Sequence, residues 1–198
     1  MPKRIRTNPI YLAPNILGYY DVNGSPVARN EVSGELLNPN SIDHKIIIYS
    51  RQVHGWFLEP ATQLLNSSNS NFIVLMICFS YLEGVEQYRI GQSSNGNSRL
   101  FFRNSIYRLF PSQNFTEHEL NDLYREARCG LFHNGMVQGK IILNDSFTPA
   151  ISFPNQNDIH INPNLLLTSI IADFNSYLND LRTDDFLRRN FNLMFTNL

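Results

Sequence analysis

Arg128 and His133 stand five residues apart in the run Leu123-Tyr124-Arg125-Glu126-Ala127-Arg128-Cys129-Gly130-Leu131-Phe132-His133-Asn134-Gly135. Arginine stays charged at every working pH and presents a planar fork of donors that matches phosphate oxygens. Histidine titrates near neutrality and carries a proton to or from a reacting group. The two together are a minimal kit for phosphodiester chemistry. RNA supplies its own nucleophile, the ribose 2′-OH, so an enzyme has to take that proton, stabilise the crowded phosphorus and protonate the departing 5′ oxygen. That sequence of steps calls for no metal. One histidine serves one proton task at a time, and a two-fold dimer brings a second copy into the same cleft. The structural alternative is a pair of cationic side chains capping the last carbonyls of a helix.

The elements that position the pair are legible on either side of it. Thr116-Glu117-His118-Glu119 has the form of a capping box, in which two side chains satisfy the open amides of a helix start. Asn134-Gly135 supplies the stop. On a regular α-helix five residues amount to about 140° of rotation and about 7.5 Å of rise, so the spacing predicts that Arg128 and His133 flank a groove. Apolar spacing predicts further helices over 44–66, with Pro60 kinking the run or opening a second piece, over 71–90 with Gly91 as its stop, and over 98–110 ended by Pro111. Three β-prone runs, 140–143, 150–153 and 159–161, suggest a small hairpin or meander inserted at about 137–162. Helical spacing returns from Pro163, with a break near Asp184-Asp185. Residues 1–43, rich in Pro, Asn, Gly and Ser, read as an extended N-terminal arm packed on a helical domain at 44–198.

Other residue types fall into place around the pair. Between Glu86 and Glu117 there are four arginines, Arg89, Arg99, Arg103 and Arg108, and no acid, interleaved with Phe101, Phe102, Tyr107 and Phe110. Arginine neutralises phosphate and aromatic faces stack on unpaired bases, so this stretch is a candidate RNA-tracking surface; at core spacing the aromatics turn inward and Arg99 and Arg103 face solvent. Glu83 and Glu86 sit three apart on the central helix; an inward Glu83 calls for a cation such as Arg128 or Arg125, and the commoner alternative is a surface ion pair. Asn134 orients substrate or His133, or is half of an Asn-Gly helix stop. His44, His54, His118 and His160 are scattered with no metal-ligand spacing, so neither metal nor cofactor is expected.

The segment 123–135, with Val53-His54-Gly55-Trp56-Phe57-Leu58-Glu59-Pro60 and Phe79-Ser80-Tyr81-Leu82-Glu83-Gly84-Val85-Glu86, resembles the HEPN superfamily of helical-bundle ribonucleases. The resemblance covers residues 44–198 at the level of the fold and is most specific at the motif helix. It implies a mainly α, up-and-down bundle, a metal-independent endoribonuclease acting on RNA in toxin, phage-defence or RNA-processing systems, and a homodimer that builds one shared site from two motif helices. It also brings a neutralising antitoxin or other partner protein into view. Carried over by position, Arg128 binds and stabilises phosphate and His133 carries the proton, with Asn134, Arg125, Arg99 and Arg103 on the substrate side and Glu83 in support. Many catalytic members carry a polar residue directly after the arginine, whereas this chain has Cys129. Degenerate members serve as scaffolds or nucleotide-binding modules, which is the second reading.

Composition bounds the rest. A chain of 198 residues, 42% hydrophobic, is long enough for one domain with a substantial core and does not require two. A formal net charge of -1 excludes the broad positive field of a dedicated duplex-DNA binder, so any nucleic-acid contact is local. Cys78 and Cys129 both fall inside apolar helical patterns and read as free thiols in a reducing compartment. The basic start Met1-Pro2-Lys3-Arg4-Ile5-Arg6 is followed by no apolar segment, and the longest apolar run, 72–79, is far short of a membrane span. A cytoplasmic protein with no membrane partner is expected.

Overall fold

A computed structural model describes residues 5–67 and 69–195 of the chain; the basic start at 1–4 lies outside the described residues. The protein is mainly helical, as the apolar spacing predicts, with two small sheets among the described residues. The chain divides into two compact units, one formed by residues up to 60, 88–92 and from 176 on, the other by 61–87 and 93–175.

The first unit departs from the expectation of an extended arm over 1–43. Strands β1 (Ile10–Ala13), β2 (Ile16–Tyr20), β3 (Pro26–Asn30) and β4 (Leu36–Leu37) form an antiparallel sheet in that order. Its turns explain why: Asn15 takes φ 59°, and the Asp21 carboxylate accepts from the Asn23 and Ser25 amides while Gly24 takes φ 75°. The Asn23-Gly24 pair between apolar runs is a hairpin signal that outweighs the overall polarity of the segment. The sheet's inner residues Leu12, Ile16, Ala28 and Leu37 are buried. Helix α1 (Ile42–Val53) is tied to the sheet by Gln52, whose side-chain amide donates to the Leu12 carbonyl at 2.6 Å. Tyr49, Tyr88, Phe191 and Phe195 form an aromatic cluster, the last two contributed by α7 (Asp185–Met194) and the residue after it. Asp184 caps α7 by accepting from the Phe186 and Leu187 amides. The sheet and the aromatic cluster both belong to the first of the two compact units.

After α1 the helix widens into a π-helical turn, His54–Leu58, and resumes as α2 (Glu59–Leu65). The wide turn ends two residues before Pro60, whose ring and missing N–H disrupt an ordinary α-helical ladder. The long apolar helix of the sequence reading is α3 (Asn71–Ile90), whose part in the second unit has Val74, Leu75, Cys78, Phe79 and Leu82 fully buried. Cys78 and the half-buried Cys129 are both free thiols, and burial pushes the Cys78 thiol up. Helix α4 (Ser98–Leu109) buries Phe101, Phe102 and Ile106, and Phe102 packs edge-on against Phe79.

The β insertion is present, with its last two strands paired as a hairpin and its first strand added in parallel, so it is not a meander. Strands β5 (Ile141–Leu143), β6 (Ile151–Ser152) and β7 (Ile159–Ile161) run in the order β5-β7-β6, with β7 parallel to β5 and antiparallel to β6. Asn162 locks this arrangement to the next helix, α6 (Pro163–Asp180). Its amide donates to the Asp145 and Phe147 carbonyls, and its side-chain oxygen accepts from the Asn164 and Leu165 amides, capping a helix that starts on proline. Among the described residues no helix is long and apolar enough to cross a membrane.

Candidate functional site

The capping box forms as its residue types dictate. Thr116 Oγ1 accepts from the Glu119 amide at 3.2 Å and the Glu119 carboxylate accepts from the Thr116 amide at 2.7 Å, opening α5 (Glu117–Leu123). From Tyr124 to Asn134 the helix is π-helical, eleven residues long, and the sequence carries no sign of this. The Gly135 amide closes the segment on the Gly130 carbonyl, five residues back, with Gly135 at φ 71°, in the left-handed region where glycine is favoured. The chain then folds back over Gly130 so tightly that a Cβ there would lie 2.7 Å from the Met136 carbonyl oxygen.

The π geometry corrects the expected placement of the pair. A hydrogen bond from residue i+5 to residue i sets the two about one turn apart on the same side of the helix. Arg128 and His133 therefore share a face, where α-helical spacing puts them well round from one another. His133 is exposed and hydrogen-bonds to no partner among the described residues. Arg128 is fixed: Nη2 donates to Glu83 Oε2 at 2.8 Å, and its guanidinium carbon lies 5.5 Å from the Tyr124 ring centroid and 4.9 Å from that of Phe132. The Ser94 hydroxyl donates to the other Glu83 oxygen at 2.8 Å. Burial alone would raise the Glu83 carboxyl, but hydrogen bonds from Ser94 and Ser98 and the Arg128 charge outweigh it and hold the group below its ordinary value. Of the two partners open to Glu83 on the sequence, the structure gives it Arg128.

The remaining predicted site residues differ in what holds them. Arg125 donates from Nε and Nη2 to Glu126 and from Nη2 to Asp122, and Asp122 also takes Lys140 at 3.0 Å; the paired carboxylates raise the guanidinium's pKa. Arg103 bonds Glu117 and, at 3.3 Å, Asn121. Arg108 is committed to the interior, pairing with Glu86 and Asp173, while the Ser105 hydroxyl donates to the Leu82 carbonyl at 2.6 Å and Tyr81 donates to Asp173 at 2.8 Å. In the other unit Arg89 lies 4.4 Å from the Tyr177 ring centroid. The acid-free stretch is thus not a row of free cations, since Arg103 and Arg108 draw carboxylates from other elements. Arg99 is the member that stays exposed without a carboxylate among the described residues. Asn134 is exposed at the end of the π segment, and the positive φ of the stop falls on Gly135.

Sequence reasoning missed Tyr124. The ring is buried, packs edge-on against Phe102 at 5.5 Å, and carries Arg99 at 5.7 Å and Arg128 at 5.5 Å from its centroid. Burial raises its hydroxyl pKa against the lowering charge of Arg128. An aromatic four residues ahead of a candidate arginine was the available signal, since such pairs meet along a helix. Among the described residues no three His, Cys, Asp or Glu side chains gather as a metal-binding group. No family model, no curated protein and no solved structure matches this chain.

Proposed function

We propose that the chain is a metal-independent endoribonuclease of HEPN type, with a mainly helical HEPN-like bundle, that cleaves RNA through attack by the ribose 2′-OH at a site shared by two copies. The observation that carries this reading is the π-helical segment, which sets an exposed imidazole about one turn from an arginine whose fork is already oriented. Glu83 holds one terminal nitrogen of Arg128, which leaves the guanidinium's other donors for the phosphate oxygens as negative charge develops on them. His133 from one protomer takes the 2′-OH proton and its counterpart from the other donates a proton to the 5′ oxygen. The bond from phosphorus to that oxygen breaks, leaving a 2′,3′-cyclic phosphate on one fragment and a 5′-hydroxyl on the other. Such an activity suits a toxin or phage-defence role in the cytoplasm, where a partner protein would restrain it. Purified protein is expected to cut single-stranded RNA in EDTA, and a folded His133→Ala variant to be inert; equal cutting by the two proteins would remove the reading.

A second reading has a specific observation behind it. The Arg128 charge is balanced by Glu83 and followed by Cys129, an arrangement that also fits an RNA- or nucleotide-binding module without catalysis. RNA affinity with no cleavage by the wild-type protein would decide for it.

A further inference from the structure

The head of α4 and the start of the π segment enclose an open pocket of about 500 Å³, lined by residues that include Ser98, Arg99, Arg103 and Tyr124. Its charges do not balance. Arg103 is matched by Glu117, and Arg128, on the same tyrosine, is matched by Glu83. Arg99 has no carboxylate to answer it among the described residues and lies at the pocket wall. An uncompensated guanidinium at the wall of a concave site is a ready ligand for an anion.

The pocket is also linked to the motif. Arg99 and Arg128 each lie over the Tyr124 ring, so their guanidinium carbons are at most about 11 Å apart, the sum of their distances to its centroid. Phosphates one or two nucleotides apart on an unstacked strand bridge such a separation. Tyr124 is buried and holds the two arginines at its ring, which leaves it no open face to stack on a base.

We propose that this pocket is a second phosphate subsite for the RNA strand, with Arg99 as its ligand and Tyr124 as the brace that sets its distance from Arg128. The identity of the strand rests on the ribonuclease reading. The subsite reads backbone, so it accepts any base and contributes equally to every sequence.

The test uses the full-length protein and a fluorescein-labelled single-stranded octamer with 2′-O-methyl ribose, which cannot supply the nucleophile, followed by anisotropy across a salt series. Arg99→Ala should weaken binding about fivefold for uridine and adenine octamers alike and make the slope of log K against log salt shallower by about 0.7, the loss of one phosphate contact on a single strand. Arg99→Lys should keep the wild-type slope, and Arg182→Ala, an exposed arginine of the other unit, should bind as wild type. An Arg99→Ala protein with wild-type affinity and slope overturns the subsite, and so does a loss confined to one base. Cleavage of unmodified RNA is scored separately. A wild-type protein that binds through Arg99 but never cuts keeps the subsite and loses the catalytic reading, while one that cuts without any dependence of binding on Arg99 does the reverse.

Discussion

Replacing Glu83 by glutamine tests the contact that orients Arg128. Glutamine keeps the volume and an oxygen for Ser94 but removes the charge that faces the guanidinium. A fully exposed pair contributes about 0–1 kcal/mol, whereas breaking a fully buried one by removing a partner costs about 3–5 kcal/mol. Here 13% of the Glu83 side chain and 19% of the Arg128 side chain remain exposed, which places the pair between those limits. After allowance for solvent screening the expected loss is about 2 kcal/mol, or about 4–8 °C in Tm for a chain of this length. The pH dependence has a definite sign. Because the folded-state pKa of Glu83 lies below its unfolded value, its contribution is complete above the unfolded pKa of about 4.3 and is lost as pH falls through the folded one. The gap in thermal stability between wild type and Glu83→Gln should therefore be full at neutral pH and close in acid. A double-mutant cycle with Arg128→Gln, measured by urea denaturation, should return a coupling of about 1 kcal/mol or more. Equal melting of the two proteins at neutral pH, a coupling near zero, or a gap that widens on acidification would refute the argument.

Two further perturbations probe the scaffold. Arg108→Met should cost about 3–5 kcal/mol in urea denaturation, because it leaves the nearly buried carboxylates of Glu86 and Asp173 without the cation they share; a loss like that of an exposed arginine would contradict the buried network. Gly130→Ala should cost about 1–3 kcal/mol, since its methyl group meets the Met136 carbonyl and the Gln138 amide of a returning chain. The Gly135 and Gln138 amides should then exchange faster, whereas Gly139→Ala, which meets nothing within 4 Å, should leave both stability and exchange unchanged.

Helix starts and stops were legible because local chemistry decides them: the Thr116/Glu119 box, Pro163 at a helix start, Gly91 after α3 and Gly135 after the motif helix all act where their residue types predict. What escaped depended on contacts distant in sequence or on a choice between closely related helices. The N-terminal sheet was obscured by polar composition although Asn23-Gly24 marked its hairpin, and the parallel pairing of β5 with β7 cannot be read from strand-forming runs alone. At the site, charge and burial offered Glu83 Arg128, Arg125 or a surface ion pair, and the structure pairs it with Arg128. The π-helical turn was not legible, and it alters which face the pair shares. The expectation of a cationic surface along α4 overlooked that Glu86, Glu117 and Asp173, from three other elements, converge on Arg103 and Arg108, leaving Arg99 for solvent.

The central claim is that Arg128 and His133 drive attack by the ribose 2′-OH on the adjoining phosphate. Mass spectrometry of the fragment ends, with one oligonucleotide made as RNA and as its fully 2′-deoxy counterpart, tests it most directly. The account predicts 2′,3′-cyclic phosphate and 5′-hydroxyl ends from the RNA alone, present with wild type and absent with His133→Ala. Cutting of the deoxy strand, 3′-hydroxyl and 5′-phosphate ends, or the same products from the His133→Ala protein would contradict it.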